Sequence, residues 1–170
     1  KPQPIYSAEQ VRFIKEKIQG EWFEALWLLG IFCGLRPEEA TALDVPPRDW
    51  DGSLDISQAY SWQGELGWIM TDTKTPDSSA TVYVPQEIAT RILEITKGKT
   101  GSIARPAYMP NNWRANRSTY QQAYERWCKK NDYPYIPPKN FRHTAASLML
   151  SSREVDIQVV SKVLRHSNVS

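Results

Sequence analysis

The sequence has only two cysteines and two histidines, and it has no apolar stretch long enough to cross a membrane. A transmembrane helix needs about 18 to 20 consecutive apolar residues. The first ten residues, KPQPIYSAEQ, lack the apolar core of a signal peptide. Cys33 lies in an apolar run and Cys128 lies far from it along the chain. We therefore expect two reduced thiols in a cytoplasmic protein rather than a disulfide framework.

The sequence also lacks the motifs of several enzyme classes. There is no GxxxxGKS, GxxxxGKT or GxGxxG stretch, and neither His143 nor His166 belongs to an HExxH pattern. Glu38 and Glu39 form the only adjacent acidic pair, whereas two-metal phosphoryl chemistry needs several convergent carboxylates. We therefore expect no metal ion and no nucleotide or other cofactor.

The composition, 41% hydrophobic and 24% charged over 170 residues, is typical of one globular domain. The charge is divided unevenly along it. Residues 1–90 carry 7 Lys/Arg and 14 Asp/Glu, whereas residues 91–170 carry 14 and 5. A basic carboxyl-terminal half indicates a surface that faces a polyanion, although uneven surface charge without any ligand explains the counts equally well.

The spacing of apolar residues predicts helices, then a small sheet, then more helices. Ser7-Ala8-Glu9-Gln10 is a capping box at the start of the first helix, and Gly34 is expected to end the second. Helices are predicted at about 7–19, 22–34, 37–43, 88–95, 120–127, 140–151 and 155–164, and alternating strands at 54–57, 68–71 and 81–84. The fold class expected is α+β and mainly helical: a single domain with a small three-stranded antiparallel sheet at the edge of a helical core.

Two basic segments stand out in the sequence. Arg36, in GLRPEEA, follows a buried apolar helix, and burying a guanidinium near a core is costly unless an anion or a carboxylate meets it. Glu39 is one candidate partner on the same face. Lys139, Arg142 and His143 gather at another predicted helix N-terminus, whose partial positive charge disfavours cations. Their presence there makes sense if a phosphate binds among them.

Four segments, GLRPEEATAL, TDTKT, PKNFRHTAAS and VVSKVLRHS, occur in the order and at roughly the spacings of the tyrosine recombinase motifs. The chain resembles the catalytic domain of this integrase family from SAEQVRFI to RHSNVS. The resemblance implies site-specific DNA recombination or integration by metal-independent strand cleavage and transfer through a phosphotyrosine intermediate. It also implies double-stranded DNA and other protomers, as a tetramer on DNA, as partners, and a bacterial or phage origin.

The resemblance implies roles for five residues. Arg36 and Arg142 match the two catalytic arginines, whose forked guanidiniums can hold the non-bridging oxygens of the scissile phosphate. Lys74 matches a hairpin lysine that can protonate the leaving 5′-oxygen, although outside the family a solvated hairpin charge is the simpler interpretation. Lys139 replaces the usual histidine, and phosphate binding is expected for it. His166 matches the final position of the motif set and is expected to hydrogen-bond the phosphate or to pack beside it.

The resemblance places the nucleophilic tyrosine a little over two helical turns beyond His166, past Ser170. We therefore expect a catalytic domain that binds DNA without cleaving it, and that lacks the tyrosine segment and the N-terminal DNA-clamping domain of the family. Tyr133 and Tyr135 are expected to make aromatic contacts rather than to replace the nucleophile. His143 is expected to satisfy a buried polar group.

Arg105, Arg114 and Arg117 accompany the long predicted loop at 98–116, and we expect them to bind DNA through phosphate contacts, which fix position rather than sequence. Solvated surface charges explain these arginines about equally well.

Two other functions remain open on the sequence. The last two predicted helices suit a helix-turn-helix transcription factor without catalysis, which would present a free terminal helix but leaves Arg36 and Lys74 unexplained. In a structural scaffold, Arg36 and Arg142 would bond mainly to carboxylates. In a recombinase the five motif residues would instead converge on one pocket able to hold a phosphate.

Overall fold

The structure is a computed structural model that describes residues 3–72 and 80–151. Lys74, His166 and the helix predicted at 155–164 lie outside the described residues. Among those residues no helix is long and apolar enough to cross a membrane. The elements in chain order are α1 (Ala8–Lys17), α2 (Glu24–Cys33), α3 (Pro37–Ala40), β1 (Ser53–Ile56), β2 (Gln58–Trp62), β3 (Trp68–Asp72), β4 (Ala80–Tyr83), α4 (Gln86–Ile95), α5 (Arg117–Lys130) and α6 (Phe141–Ser151).

The first helix begins, and the second helix ends, where local chemistry predicts, whereas α1 ends and α2 begins two residues away from the predicted boundaries. The Ser7 hydroxyl accepts a hydrogen bond from the Gln10 amide at 3.1 Å, and the Ser7 amide donates to the Gln10 side chain at 2.9 Å, which completes the capping box. Helix α2 ends at Gly34, whose φ of 70° lies in the left-handed region that favours glycine. Nearly every residue of α2 is buried, so this helix forms the centre of the core.

The buried end of α2 carries Cys33, a free thiol. Burial raises the pKa of the Cys33 thiol to about 12, because the thiolate would lose its hydration there. The other cysteine, Cys128, is also free and buried, on α5, and burial raises its pKa as well. The two thiols are thus separate and protonated at neutral pH.

Helix α3 ends at Ala40, three residues before the predicted boundary. The backbone beyond it pairs with the long loop instead of continuing the helix. The Leu43 carbonyl accepts from the Ile103 amide at 3.0 Å, and the Val45 amide donates to the Gly101 carbonyl at 2.8 Å. These bonds between distant parts of the chain satisfy backbone groups that a longer helix would have used.

The α+β, mainly helical fold class is confirmed, but the described residues contain four strands rather than three. Strands β1 and β4 form one antiparallel pair, and β2 and β3 form another. The unpredicted strand is β2, QAYSW, whose three central residues are all partly buried, so that neither face shows a clear alternation. Its pairing is supported by the Trp62 and Trp68 rings, which stand opposite each other with centroids 5.7 Å apart.

Helices α2 and α6 pack closely against each other at Gly30. A Cβ atom on Gly30 would lie 2.9 Å from Cδ2 of Phe141, a ring that is fully buried. Arg142 follows Phe141 directly, and Arg36 lies just beyond the end of α2. This packing therefore brings the start of α6, with Arg142, to the end of α2, with Arg36.

We expect Gly30→Ala to destabilise the fold. Alanine favours a helix over glycine by about 1 kcal/mol, but overpacking a dense core costs about 1–3 kcal/mol. The net loss of unfolding free energy should be up to about 2 kcal/mol in urea titrations. In a Phe141→Leu background, where the ring is gone, the same change should be neutral or stabilising. Equal effects in both backgrounds would contradict the close contact.

Candidate functional site

A cavity of about 270 Å³ lies where the end of α2, the start of α3, the start of α5 and the start of α6 meet. Its lining combines four cationic side chains with a single carboxylate, so it is electropositive. The lining residues are Arg36, Pro37, Glu38, Arg117, Gln121, Lys139, Asn140 and Arg142. The fold thus brings the two motif arginines, Arg36 and Arg142, together with Lys139. Lys139 and Arg142 are close in sequence, whereas Arg36 is remote from both.

Arg36 stands at the entrance to α3, where its backbone is held firmly. Its amide donates a hydrogen bond to the Glu39 carboxylate at 2.9 Å, and its carbonyl accepts from the Ala40 amide at 2.9 Å. Its Nε is buried and has no hydrogen-bond partner among the described residues. A buried donor without a partner costs about 1–3 kcal/mol. An anion in the cavity could relieve that cost.

Lys139 and Arg142 reach the cavity from consecutive turns of the chain. Pro138–Asn140 form a 3-10 turn that leads directly into α6, and the Asn140 amide donates to the Pro137 carbonyl at 2.8 Å. Lys139 is exposed, whereas Arg142 is only 8% exposed. The N-terminus of α6 adds partial positive charge at the same place, which favours a bound anion.

His143 follows Arg142 but is half-buried, and within the described chain it is not part of the cavity lining. Successive helical residues point about 100° apart, which separates the two side chains. That His143 satisfies a buried polar group stays a prediction.

Arg117 is the fourth cation of the cavity. It is the first residue of α5, which Asn116 caps by accepting a hydrogen bond from the Thr119 amide at 2.8 Å. Gln121 lies one turn further along the same helix face and also lines the cavity. Arg117 is exposed, so it stands at the mouth of the cavity rather than in its wall.

Arg114 is used differently. Its Nη1 donates to the carbonyls of Thr41 and Leu43 at 2.8 and 2.9 Å, and its Nη2 binds the Asp44 carboxylate. The guanidinium therefore satisfies the carbonyl groups that α3 exposes at its end. The contact of Arg114 with DNA stays a prediction. In the structure its guanidinium stabilises the chain at and just after the end of α3.

Arg105 lines a second cavity, of about 320 Å³, near the N-terminus of α2. Its Nη1 donates to the Met109 carbonyl, and its Nε is buried without a partner among the described residues. Arg105 thus lies at the opposite end of α2 from Arg36, and it does not join the four cations. Its contact with DNA also stays a prediction.

Residues 8–170 match the phage integrase family. The chain belongs to this family. It is 27% identical over 187 residues to a tyrosine recombinase XerC-like protein of Caldanaerobacter subterraneus subsp. tengcongensis, in a match that covers 97% of this chain and 48% of that protein. The chain thus spans about half the length of this curated relative. The family resemblance predicted from the four motifs is confirmed.

Solved structures of integrases share the fold. The Tn1549 transposon integrase, solved in complex with circular intermediate DNA, superimposes with a TM-score of 0.78 at 17% identity over 99% of this chain and 60% of that one. The XerA recombinase superimposes with a TM-score of 0.71 at 15% identity, covering 98% of this chain and 56% of that one. At these identities the likeness shows that this integrase-family chain has the recombinase catalytic fold.

Glu38 and Gln121 also line the cavity, although no motif predicts them there, and the predicted DNA contact of Arg117 did not place that residue in the cavity. The signal available was the spacing of Arg117 and Gln121 on one helix face, away from the buried stripe of Tyr120 and Tyr124. Lys74 cannot be compared with the cavity because it lies outside the described residues, as does His166. Strand β3 ends at Asp72, two residues before Lys74.

The two neighbouring arginines should respond differently to alanine. Arg114→Ala removes the donor of three hydrogen bonds, and we expect it to lower the free energy of unfolding by about 1–3 kcal/mol. Arg117→Ala alters an exposed side chain, and the change should stay within about 0.5 kcal/mol. Urea unfolding of both variants checks the order, and a larger loss for Arg117→Ala would contradict these placements.

Proposed function

We propose that the protein is a site-specific DNA recombinase and that its electropositive cavity binds the phosphodiester to be cleaved. The observation that carries the proposal is the meeting of Arg36, Lys139 and Arg142 around one cavity of a size suited to a phosphate group. Membership of the phage integrase family supports it. So does the Tn1549 integrase, a protein of the same fold that has been solved with DNA.

The two arginines would supply most of the transition-state stabilisation. A guanidinium presents two parallel donors that match the oxygens of a phosphate. Negative charge on those oxygens must be neutralised as the phosphorus is attacked, and fixed donors in a partly buried site do this without reorganising. Arg36 already holds a buried Nε without a partner among the described residues, so a phosphate oxygen would give it one.

The exposed cations would bind the rest of the DNA strand. Lys139 acts as a point charge beside the same phosphate. Arg117 stands at the mouth of the cavity, where it would contact the scissile phosphate or the one next to it. Such contacts fix the position of the strand but do not read its sequence. Arg105 and Arg114 remain further candidates for DNA contact.

The family resemblance supplies the remaining chemistry. A tyrosine oxygen attacks the phosphorus and forms a phosphotyrosine bond, while the 5′-oxygen leaves and takes a proton, for which Lys74 is the candidate donor. The 5′-hydroxyl of another strand then attacks the phosphorus and loses its proton, the bond to the tyrosine oxygen breaks, and the tyrosine leaves and regains a proton, which restores the phosphodiester. His166 would support the phosphate. The partners are double-stranded DNA and further protomers, assembled as a tetramer on DNA. Residues 1–170 alone should bind DNA without cleaving it.

The geometry supports the two alternative functions, a helix-turn-helix transcription factor and a structural scaffold, less well. The helix-turn-helix interpretation depends on a helix at 155–164, outside the described residues, and does not explain why the cations meet. A scaffold would have Arg36 bonded to a carboxylate, whereas its Nε has no hydrogen-bond partner among the described residues. We therefore propose no second function.

Cleavage should depend on the forked shape of the two guanidiniums. In a protein extended through the nucleophilic tyrosine, Arg36→Lys and Arg142→Lys keep the charge but lose the paired donors. We expect each to lower formation of the covalent adduct with a suicide DNA substrate by at least about 10²-fold. Normal adduct formation by either variant would refute its assignment. Lys17→Gln, an exposed change on α1, serves as the control and should leave the adduct yield unchanged.

DNA binding by residues 1–170 should be weak and strongly salt-dependent, because each phosphate contact releases counterions. The slope of log K against log salt should become shallower by about 1 in Arg117→Gln, the loss of one phosphate contact. Fluorescence anisotropy with a labelled duplex at several salt concentrations measures the slope. Binding that ignores salt, or an Arg117→Gln slope equal to that of the parent, would count against the cavity as a DNA surface.

A further inference from the structure

The extended segment before α1 contains a buried tyrosine, Tyr6, that contacts the chain on both sides of residues 139–142. We propose that Tyr6 is a positioning residue that fixes Lys139 and Arg142 for the reaction. The proposal rests on the proposed function, because it assigns Tyr6 an effect on the same cavity. Tyr6 is not among the described residues that line the cavity. It would act through the backbone that carries the two cations.

The hydrogen bonds of Tyr6 surround that backbone. Before Lys139, its hydroxyl lies 2.7 Å from the Pro134 carbonyl oxygen and 3.1 Å from the Ile136 amide. After Arg142, the Thr144 hydroxyl accepts from the Tyr6 amide at 3.1 Å. A single residue thus bonds to the chain on both sides of the four residues that include both cations.

The Tyr6 hydroxyl has no freedom to turn. A phenol donates one hydrogen bond and accepts two. It donates to the Pro134 carbonyl, and it accepts from the Ile136 amide and from the Tyr124 hydroxyl, which lies 2.8 Å away. Burial raises the pKa of Tyr6 well above its ordinary value, so the hydroxyl keeps the proton that it donates. All three bonding positions are therefore occupied in a side chain that is 1% exposed.

The chain between α5 and α6 needs such an anchor. It contains Pro134, Pro137 and Pro138, which have no amide hydrogen and cannot take part in a regular hydrogen-bond ladder. The Tyr6 ring adds an apolar contact at the same place, with its centroid 6.2 Å from that of Phe141, the residue before Arg142. The hydroxyl holds one side of the turn and the ring holds the other.

Removal of the hydroxyl should affect the reaction more than it affects DNA binding. Tyr6→Phe keeps the ring but releases the Pro134 carbonyl and the Ile136 amide, so the turn that carries Lys139 can shift. The attraction of cations for DNA changes little over a fraction of an ångström, because Coulomb energy varies slowly with distance. The directional contacts of Arg142 in the transition state are far more sensitive, and a misplacement of about 1 Å can cost about 10²-fold in rate.

The test is single-turnover cleavage by the protein extended through the tyrosine, at saturating DNA and well below the unfolding temperature. We expect Tyr6→Phe to cleave about tenfold more slowly, with Kd for DNA changed less than about threefold. Tyr120→Phe is the matched control, because it removes a buried hydroxyl that has no partner among the described residues. It should cleave at the parental rate.

A second control separates positioning from stability. Ile14→Val removes one methylene from the core of α1 and should lower the free energy of unfolding modestly. If Ile14→Val loses as much unfolding free energy as Tyr6→Phe yet cleaves normally, the slow rate of Tyr6→Phe reflects position. A parental rate for Tyr6→Phe, or an equal slowing by Ile14→Val, would overturn the proposal.

Hydrogen exchange keeps the positioning role testable if the proposed function fails. Should the parental protein form no covalent adduct, the recombinase proposal falls. The amides of Asn140 and Phe141, which donate to the Pro137 and Pro138 carbonyls, still report on the turn. They should exchange faster in Tyr6→Phe than in Tyr120→Phe. Equal exchange in the two variants would show that Tyr6 does not position this segment.

Discussion

The contact between Gly30 and Phe141 is the constraint on which the candidate site depends. It lets α2 and α6 approach closely, and an arginine that lines the cavity lies near the contact on each side: Arg36 just after α2, and Arg142 directly after Phe141. Burial of the ring stabilises the fold by about 1.5–3 kcal/mol, an amount that helps to offset the desolvation of a nearby guanidinium. Residues of the core and residues that line the cavity are therefore close in sequence, and a shift of either helix would displace both.

Features that depend on a few adjacent residues were predictable from the sequence. The Ser7 capping box and the Gly34 helix end both follow from local backbone chemistry, and both are present. The predicted end of α3 was wrong because hydrogen bonds to the distant loop replace the last turn of the helix. A local sequence pattern does not show a hydrogen-bond partner some sixty residues away. The strand β2 was missed for a related reason. Its three central residues are all partly buried, because other parts of the chain cover both faces of the strand. Its sequence therefore does not alternate between apolar and polar residues, which is the pattern that strand prediction requires.

The site divides in the same way. Arg36, Lys139 and Arg142 could be named because they occur in motifs, and the structure brings them to one cavity. Arg117 was predicted to contact DNA, but that it joins this cavity was not foreseen, since an exposed arginine at a helix start resembles any solvated charge. Arg114 shows the converse: a basic residue in a basic loop whose guanidinium is engaged by carbonyl groups at the end of α3. Only tertiary packing distinguishes these two neighbouring arginines.

The burial of both cysteines has a practical consequence for site-specific labelling of the protein. Cys33 and Cys128 are enclosed, and burial holds the pKa of the Cys33 thiol at about 12, so at neutral pH neither sulfur offers a thiolate to alkylating reagents. A single cysteine introduced on an exposed face, for example in place of the exposed Gln122 of α5, would then be the preferred attachment point for a fluorophore. The tetramer proposed above could then be tested by energy transfer between labelled copies, with both natural cysteines left in place.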